Sequence, residues 1–384
     1  MLLALHVVFA VRALQSESID IARYWQLASE RGTPSVDYTV PYPIATFGLL
    51  RFEGLVAEDR DEFSHLVVAV SVASDVMLTV LILSEWGFGA SVVYLVGVAL
   101  LGKLAFDKVD LPVTLVATLA AILALRRRPV ASGVTLAVAT ALKVWPLALA
   151  GLFAPSRARR RTATYVAAFG VTLAALGITG LAVTGWDGLA QVVTFGHAKG
   201  WEIESVPADV ARVFGRYGPA ASEQGAERLR VDAPWVQPLL WCALLVLVVV
   251  ATWLGRARNR IAPAWIAIVA GTLALSTLFS PQFVLWLLPP AAFAWSVGER
   301  GLAITVLGVA ALTRLEFGGV LGVGGFGGLV HGDAWSVAEL TARNLALVGV
   351  LVYALVRIAA PRSEPRPLGS PMADTGAASV RRGP

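Results

Sequence analysis

The chain has 384 residues, 57% of them hydrophobic and 15% charged, with a mean hydropathy of +0.71 and a formal charge of +5. Soluble proteins carry about 25% charged residues, so this composition excludes an ordinary soluble domain and predicts an integral membrane protein. The long apolar runs must satisfy their own backbone in lipid and are predicted helical; none shows the short alternation of a barrel strand.

Almost all the basic residues are Arg; Lys occurs only at Lys103, Lys108, Lys143 and Lys199. The Arg clusters R-R-R (126–128), R-A-R-R-R (157–161) and R-A-R-N-R (256–260), with Arg300 and the tail after Arg357, lie between apolar runs. That is the pattern of cytoplasmic loops. It speaks against nucleic acid as a partner.

In chain order, a first helix is predicted over 1–14, running outward. Its 14 residues reach about 21 Å against a hydrocarbon core of about 30 Å. An outer segment, 15–62, follows. It opens with S-I-D-I-A-R-Y-W (18–25). The spacing predicts an amphipathic helix over Ile19–Leu27, with Asp20 and Tyr24 on one face and Arg23 on another. Asp20 is either a solvated cap or a carboxylate held at the membrane surface to accept a proton. Tyr42 lies further along, in P-Y-P (41–43).

Helices are predicted over 63–84 and 88–106, with an outer turn at 107–110 and a return over 111–125. Asp110 reads best as the cap of that returning helix, since Asp is a favoured N-cap and Pro112 suits a first turn. Residues 130–154 begin and end beside Arg clusters and are too short to cross twice. They are predicted to form two half-helices that dip in and return, which lipid tolerates only where protein or a cavity covers the break. Lys143 falls at that break, where a cation is costly and marks function unless it snorkels to the interface.

A helix over 163–184 leads to a second outer segment, 185–234. It contains F-G-H-A-K-G-W-E-I-E-S-V (195–206). His197 and Lys199 offer donors and positive charge to a phosphate; Glu202 and Glu204 can orient them or hold a sugar. Further helices are predicted over 235–254, 262–279, 282–297, 301–314 and 338–357. The stretch F-S-P-Q-F-V-L-W-L-L-P (279–289) places Gln282 and Trp286 near the outer end of a span, where they can line a cavity. Residues 361–384 have the composition of a disordered cytoplasmic tail. The single Cys242 and the four scattered His offer no disulfide and no metal-ligand spacing. No cofactor is expected, and the question of a divalent metal stays open.

These motifs resemble those of polyprenol-phosphate-dependent glycosyltransferases of the GT-C fold, in particular glycosyltransferase family 87 with its actinobacterial α-mannosyltransferases. D-I-A-R-Y-W is similar to the family's first-loop Asp-x-x-x-Tyr, and V-P-Y-P-I-A-T to its Glu-Tyr-Pro-Pro. A-L-K-V-W-P is similar to its Lys-x-x-Pro, H-A-K-G-W-E-I-E-S to its His-x-x-Arg-Gly…Glu-Ser, and F-S-P-Q-F-V-L-W to its Ser-Pro-Gln-Tyr…Trp. Pro41, Ile44 and Lys199 depart from the pattern.

The resemblance implies an all-α, polytopic helical bundle of about ten crossings plus a re-entrant helix pair, occupying residues 1–360 of a plasma-membrane protein. It implies an inverting transfer of a sugar, mannose above all, from a polyprenyl-phosphate donor to a glycolipid or glycan acceptor on the extracytoplasmic side. Asp20 would be the base. Tyr24, Tyr42, Lys143, His197, Lys199, Glu202, Glu204 and Gln282 would bind substrate. The alternatives are an arabinofuranosyltransferase using decaprenyl-phosphate arabinose and a polytopic lipid or solute transporter.

Overall fold

A computed structural model of the chain describes residues 2–15, 18–155, 159–196, 198–318 and 325–360. Of the described residues, 77% are helical. Five described helices are long and apolar enough to cross a membrane: α4 (Arg60–Trp86), a stretch formed by α5 (Phe88–Leu101) with its 3-10 extension to Ala105, α9 (Arg159–Thr194), α11 (Val236–Ala257) and α16 (Ala334–Ala359). Shorter apolar helices are α1 (Leu2–Leu14), α6 (Asp110–Leu125), α7 (Pro129–Leu142) and α12 (Ile261–Ala274).

Local chemistry sets these boundaries. Asp59 caps α4 by accepting from the Glu62 amide at 2.9 Å, and Asp61 and Glu62 complement the positive end of its dipole. Gly87, at φ 85°, lets the chain turn from α4 into α5 in a backbone region closed to most side chains. Pro129 starts α7, where its missing N–H costs nothing.

α12 is buried on nearly every side and forms the axis of the core with α5, α6 and α13 (Leu288–Ser296). A helix that is apolar all round belongs there. α9 and α11 lie outside, and their exposed Ile178, Trp186, Leu245 and Val249 are the faces a helix presents to lipid. Inside, His6 Nδ1 lies 2.7 Å from Asp75, His6 Nε2 lies 3.0 Å from the Leu95 carbonyl, and Tyr94 donates to Asp75 at 2.8 Å. This buried polar set ties the short α1 to α4 and α5.

The segment after α7 turns back. Lys143 ends α7 in extended conformation, and Trp145–Leu149 is a 3-10 turn leading into α8 (Ala150–Phe153). Phe153 and Pro155 then line one cavity with Arg127, two residues before α7 begins. Residues 129–155 are therefore a hairpin whose tip is Lys143 and whose two ends lie together.

The helix predicted over 163–184 breaks at Gly185, whose backbone (φ 64°) is not helical, and a further helical stretch runs on to Thr194. Two expectations need correction. The chain is not wholly helical. Beyond α9 come β1 (Trp201–Glu202), α10 (Val206–Val213), β2 (Ala220–Glu223) and β3 (Ala226–Leu229), the strands forming an antiparallel sheet in the order β1-β3-β2. Residues 282–297 are not one helix but a 3-10 segment, Pro281–Leu287, followed by the nine-residue α13. Pro289 and Pro290 supply no N–H to continue the ladder backwards. The predicted tail, 361–384, lies outside the described residues.

The two predicted outer segments are joined. Gln191 on α9 donates to the Ser35 carbonyl at 3.0 Å and accepts from the Val40 amide at 2.7 Å. The small sheet and α10 lean on the start of α16, where Thr341 and Asn344 donate to Asp209 at 2.9 and 3.2 Å.

Candidate active site

A cavity of about 550 Å³ lies where the hairpin tip and the two predicted outer segments, 15–62 and 185–234, meet. It has a charged end and an apolar arm.

The charged end is built from four places in the chain. α2 (Ile19–Ser29) supplies Asp20, Arg23 and Tyr24. Asp20, in the first turn of α2, forms an ion pair with Lys108; the two side chains are 24% and 10% exposed. Lys108 is presented by the tight turn before α6, and burial pushes its ammonium down to about 8. Burial likewise pushes the adjacent Asp107 up to about 6.

Asp110 opens α6 and is buried. Its Oδ1 accepts from Lys143 Nζ at 2.6 Å and from Trp286 Nε1 at 2.8 Å. Lys143 also lies 4.0 Å from the centre of the Phe283 ring and 4.9 Å from that of Trp286. Phe283, Trp286 and Trp145 stack in sequence at centroid distances of 4.4 and 4.9 Å, forming an aromatic wall. Lys143 therefore points into the cavity between helices and does not snorkel to an interface.

Arg23 stands over Tyr42 and Phe195 at 5.7 and 5.3 Å and donates to the carbonyl and side chain of Gln224. Among the described residues no carboxylate lies within ion-pair distance of it. Tyr24 and Tyr42 meet edge to face at 5.7 Å. Burial raises both phenols, Tyr24 well above the ordinary range, so both are neutral hydrogen-bond donors. Glu202, raised by burial, pairs with the equally buried Arg228 at 3.3 Å.

The apolar arm runs from the hairpin along α11 through Trp241, Leu244, Leu245 and Val248. Trp241 and Leu245 are more than half exposed, so the arm opens sideways onto the face that meets lipid.

Asp20, Tyr24, Tyr42, Lys143, Glu202 and Gln282 thus line one cavity. Two predicted residues do not. Lys199 is exposed, and its backbone amide is held by the Glu223 carboxylate at 2.9 Å. Glu204 does not line the cavity: the chain leaves β1 after Glu202 in a turn, closed by the Ser205 amide donating to the Glu202 carbonyl at 3.0 Å, which carries Glu204 away from the face of Glu202. Glu204 is buried beside Arg343, which donates to its carbonyl at 2.8 Å, and burial with nearby Glu316 pushes its carboxyl well above the usual range. His197 lies outside the described residues; the preceding Phe195 lines the cavity.

Asp110, Arg23, Lys108 and Arg228 were not among the predicted site residues. Asp110 is not the cap of α6, a position held by Val109. Nothing local in the sequence marks it, because its partners Lys143 and Trp286 are 33 and 176 residues away. Arg23, expected on another face of α2 than Asp20 and Tyr24, also lines the cavity.

Among the described residues, no group of three or more His, Cys, Asp or Glu is arranged to hold a metal ion. What the cavity can do is clear from its parts. It can hold an apolar chain in the arm, an anion near Arg23 and Lys143, and a hydroxylated group between the carboxylates and aromatic rings.

The sequence matches glycosyltransferase family 87 over residues 63–281, more than half of the chain, and the protein belongs to that family. Its activity is glycosyl transfer, which sets the transporter alternative aside. No curated protein matches the chain.

Proposed function

We propose that the protein transfers a sugar, mannose, from a polyprenyl-phosphate donor to a hydroxyl of a glycolipid or glycan acceptor at the extracytoplasmic face of the plasma membrane. In this reading residues 1–360 form one catalytic unit of the GT-C type with about ten crossings. The observation that carries the proposal is the joining, in one cavity, of an apolar arm open to lipid with a charged end containing Asp20, Arg23 and Lys143. A soluble nucleotide sugar has no use for the arm; a prenyl chain does.

Asp20 takes the proton from the acceptor hydroxyl as its oxygen forms a bond to the anomeric carbon. The bond from that carbon to the phosphate oxygen breaks on the opposite face, and polyprenyl phosphate leaves with the electron pair. A β-linked donor then gives an α-linked product. Lys108 balances the charge of Asp20 and fixes its direction. Charge developing on the leaving phosphate is met by Arg23 and Lys143, with His197 as a further donor; Lys199 is replaced in this role. Preorganised donors of this kind stabilise a transition state more than water does. Tyr24, Tyr42, Gln282 and the aromatic wall hold the sugar, and Glu202 holds Arg228 in place.

The test is transfer by the purified protein in lipid nanodiscs, offered polyprenyl-phosphate mannose, polyprenyl-phosphate arabinose or a nucleotide sugar, each labelled in the sugar. The expected result is transfer from polyprenyl-phosphate mannose that is lost with Asp20→Asn. Transfer from the arabinose donor alone would reassign the sugar, and transfer from the nucleotide sugar alone would overturn the lipid-donor reading.

A further inference from the structure

A second cavity, of about 590 Å³, lies at the opposite end of the same helices. Asp110 begins α6 at the active-site end and Leu125 ends it at this one, about 22 Å away at 1.5 Å per residue. α11 likewise runs from Trp241 beside the first cavity to Arg256 beside the second.

Four arginines line this second cavity: Arg127, Arg161, Arg256 and Arg258. They come from three separate turns, α6–α7, the start of α9 and the end of α11. No carboxylate lines the cavity, and among the described residues none lies within ion-pair distance of any of the four. Nearby arginines are different. Arg126 pairs with Glu85, and Arg260 and Arg357 both pair with Glu299 at 3.0 and 2.7 Å. A loop that merely kept its charge in the cytoplasm would need neither the clustering nor the exclusion of acids.

The cavity is held open by structure. Arg256 donates to the Gly151 carbonyl at 2.6 Å and Arg258 to the Ala359 carbonyl, which fixes two of the four groups. Arg127 is presented from a left-handed backbone position, φ 57°, at the apex of its turn. The floor is apolar, with Leu152, Phe153 and Ile261. Directly beside it, exposed Leu125, Val130 and Trp253 begin the lipid-facing belt. Trp at such a level is the usual marker of a membrane interface.

We propose that this cavity binds the phosphate headgroup of an anionic phospholipid in the leaflet opposite the active site, with the acyl chains lying along the belt beside Trp253. Guanidinium groups match phosphate oxygens in pairs, and basic pockets between spans are suited to anionic headgroups. Free inorganic phosphate offers the same oxygens but would leave the apolar floor and belt unused.

The experiment is native mass spectrometry of the full chain released from detergent, titrated with phosphatidylglycerol, phosphatidylcholine or inorganic phosphate. The wild type is compared with Arg127→Gln/Arg161→Gln, which removes two cavity charges that carry no structural hydrogen bond. A control, Arg128→Gln/Arg159→Gln, removes two neighbouring charges that do not line the cavity. The expected result is preferential retention of phosphatidylglycerol by wild type and control, with apparent affinity weakened about 10- to 30-fold in the cavity variant and no displacement by inorganic phosphate. Equal phosphatidylglycerol binding by all three proteins, or equal binding of phosphatidylcholine, would overturn the proposal. Displacement by inorganic phosphate at matching concentration would overturn the lipid assignment. A thermal midpoint for each variant, measured in the same detergent without added lipid, separates lost binding from lost folding.

Discussion

Asp110 and Lys143 meet at 2.6 Å although 33 residues separate them, and neither has an alternative ionic partner within the described residues. The pair closes the tip of the hairpin against the start of α6. It also sets the position of Trp286, which donates to the same carboxylate oxygen at 2.8 Å. Stability and site geometry are therefore coupled at one oxygen atom.

Breaking one member of a buried pair costs about 3–5 kcal/mol, because the other charge is left without compensation. Lys143→Met is expected to lower the thermal midpoint clearly, and Asp110→Asn to do the same. The double variant should recover much of the midpoint, since no lone charge remains, yet stay inactive. A double variant no more stable than either single one would show that the pair does not act as a unit.

His6 is the second buried pairing with a testable consequence. Both of its ring nitrogens face acceptors, Asp75 at 2.7 Å and the Leu95 carbonyl at 3.0 Å. Only a doubly protonated ring can donate to both. His6→Gln keeps N–H donors on a single nitrogen and cannot reach both acceptors, so either Asp75 or the Leu95 carbonyl loses its partner. We expect loss of roughly 3 kcal/mol or more, read as a lower midpoint and as easier proteolysis near α1.

How much of this was legible beforehand depends on the range of the interaction. Asp20 and Tyr24 are four apart on one helix, and helical spacing alone places them on one face. Lys143 could be singled out because a cation between two Arg-flanked half-helices has few reasons to be there. Lys108 and Asp110 carried no such local sign. Their roles come from partners on α2 and on the hairpin, contacts that no periodicity encodes. Glu202 and Glu204 show the converse: both carry the same chemistry, and at two apart an unbroken strand would put them on one face, but the turn that follows Glu202, closed by the Ser205 amide on the Glu202 carbonyl at 3.0 Å, separates them.

Glu53 on α3 (Ile44–Val56) gives a pH prediction. Its Oε2 is buried without a hydrogen-bond partner among the described residues, and burial pushes the carboxyl up to about 7. The folded state then binds the proton more tightly than the unfolded state does. Stability contributed by this group is full below the unfolded value near 4.5 and falls as pH rises towards about 7. The slope is at most about 1.4 kcal/mol per pH unit. Glu53→Gln should flatten the midpoint between pH 5 and 7 and exceed wild type above it. Parallel pH profiles for the two proteins would count against a buried, neutral Glu53.

Arg23 separates donor binding from base chemistry. It is the cavity cation with no carboxylate partner among the described residues, held by Gln224 and the rings of Tyr42 and Phe195. A charge-assisted contact to phosphate is worth about 1.5–3 kcal/mol. Arg23→Gln is therefore expected to lower kcat/KM for a polyprenyl-phosphate donor by roughly 10- to 100-fold. Arg23→Lys should recover only part, since an ammonium lacks the paired donors of a guanidinium. Unchanged kinetics in the Gln variant would remove Arg23 from the donor site.

Asp20 is the residue on which the proposed chemistry depends most directly. It is partly exposed to the cavity and paired with Lys108, so it is both reachable by an acceptor hydroxyl and fixed in direction. General-base catalysis contributes about 10²–10⁴-fold in rate. Asp20→Asn keeps the shape and one acceptor oxygen but cannot take a proton, so kcat should fall by about that factor while donor binding changes little. Asp20→Glu should recover little, because the longer side chain moves the carboxylate by about 1 Å and misaligns it. Lys108→Met provides the contrast: it removes the partner but leaves the base, and should lower the rate less than Asp20→Asn while altering its pH profile. If Asp20→Asn turned over at nearly the wild-type rate, the base would have to be sought elsewhere among the carboxylates of the cavity, and Asp20 would be the structural partner of Lys108 alone.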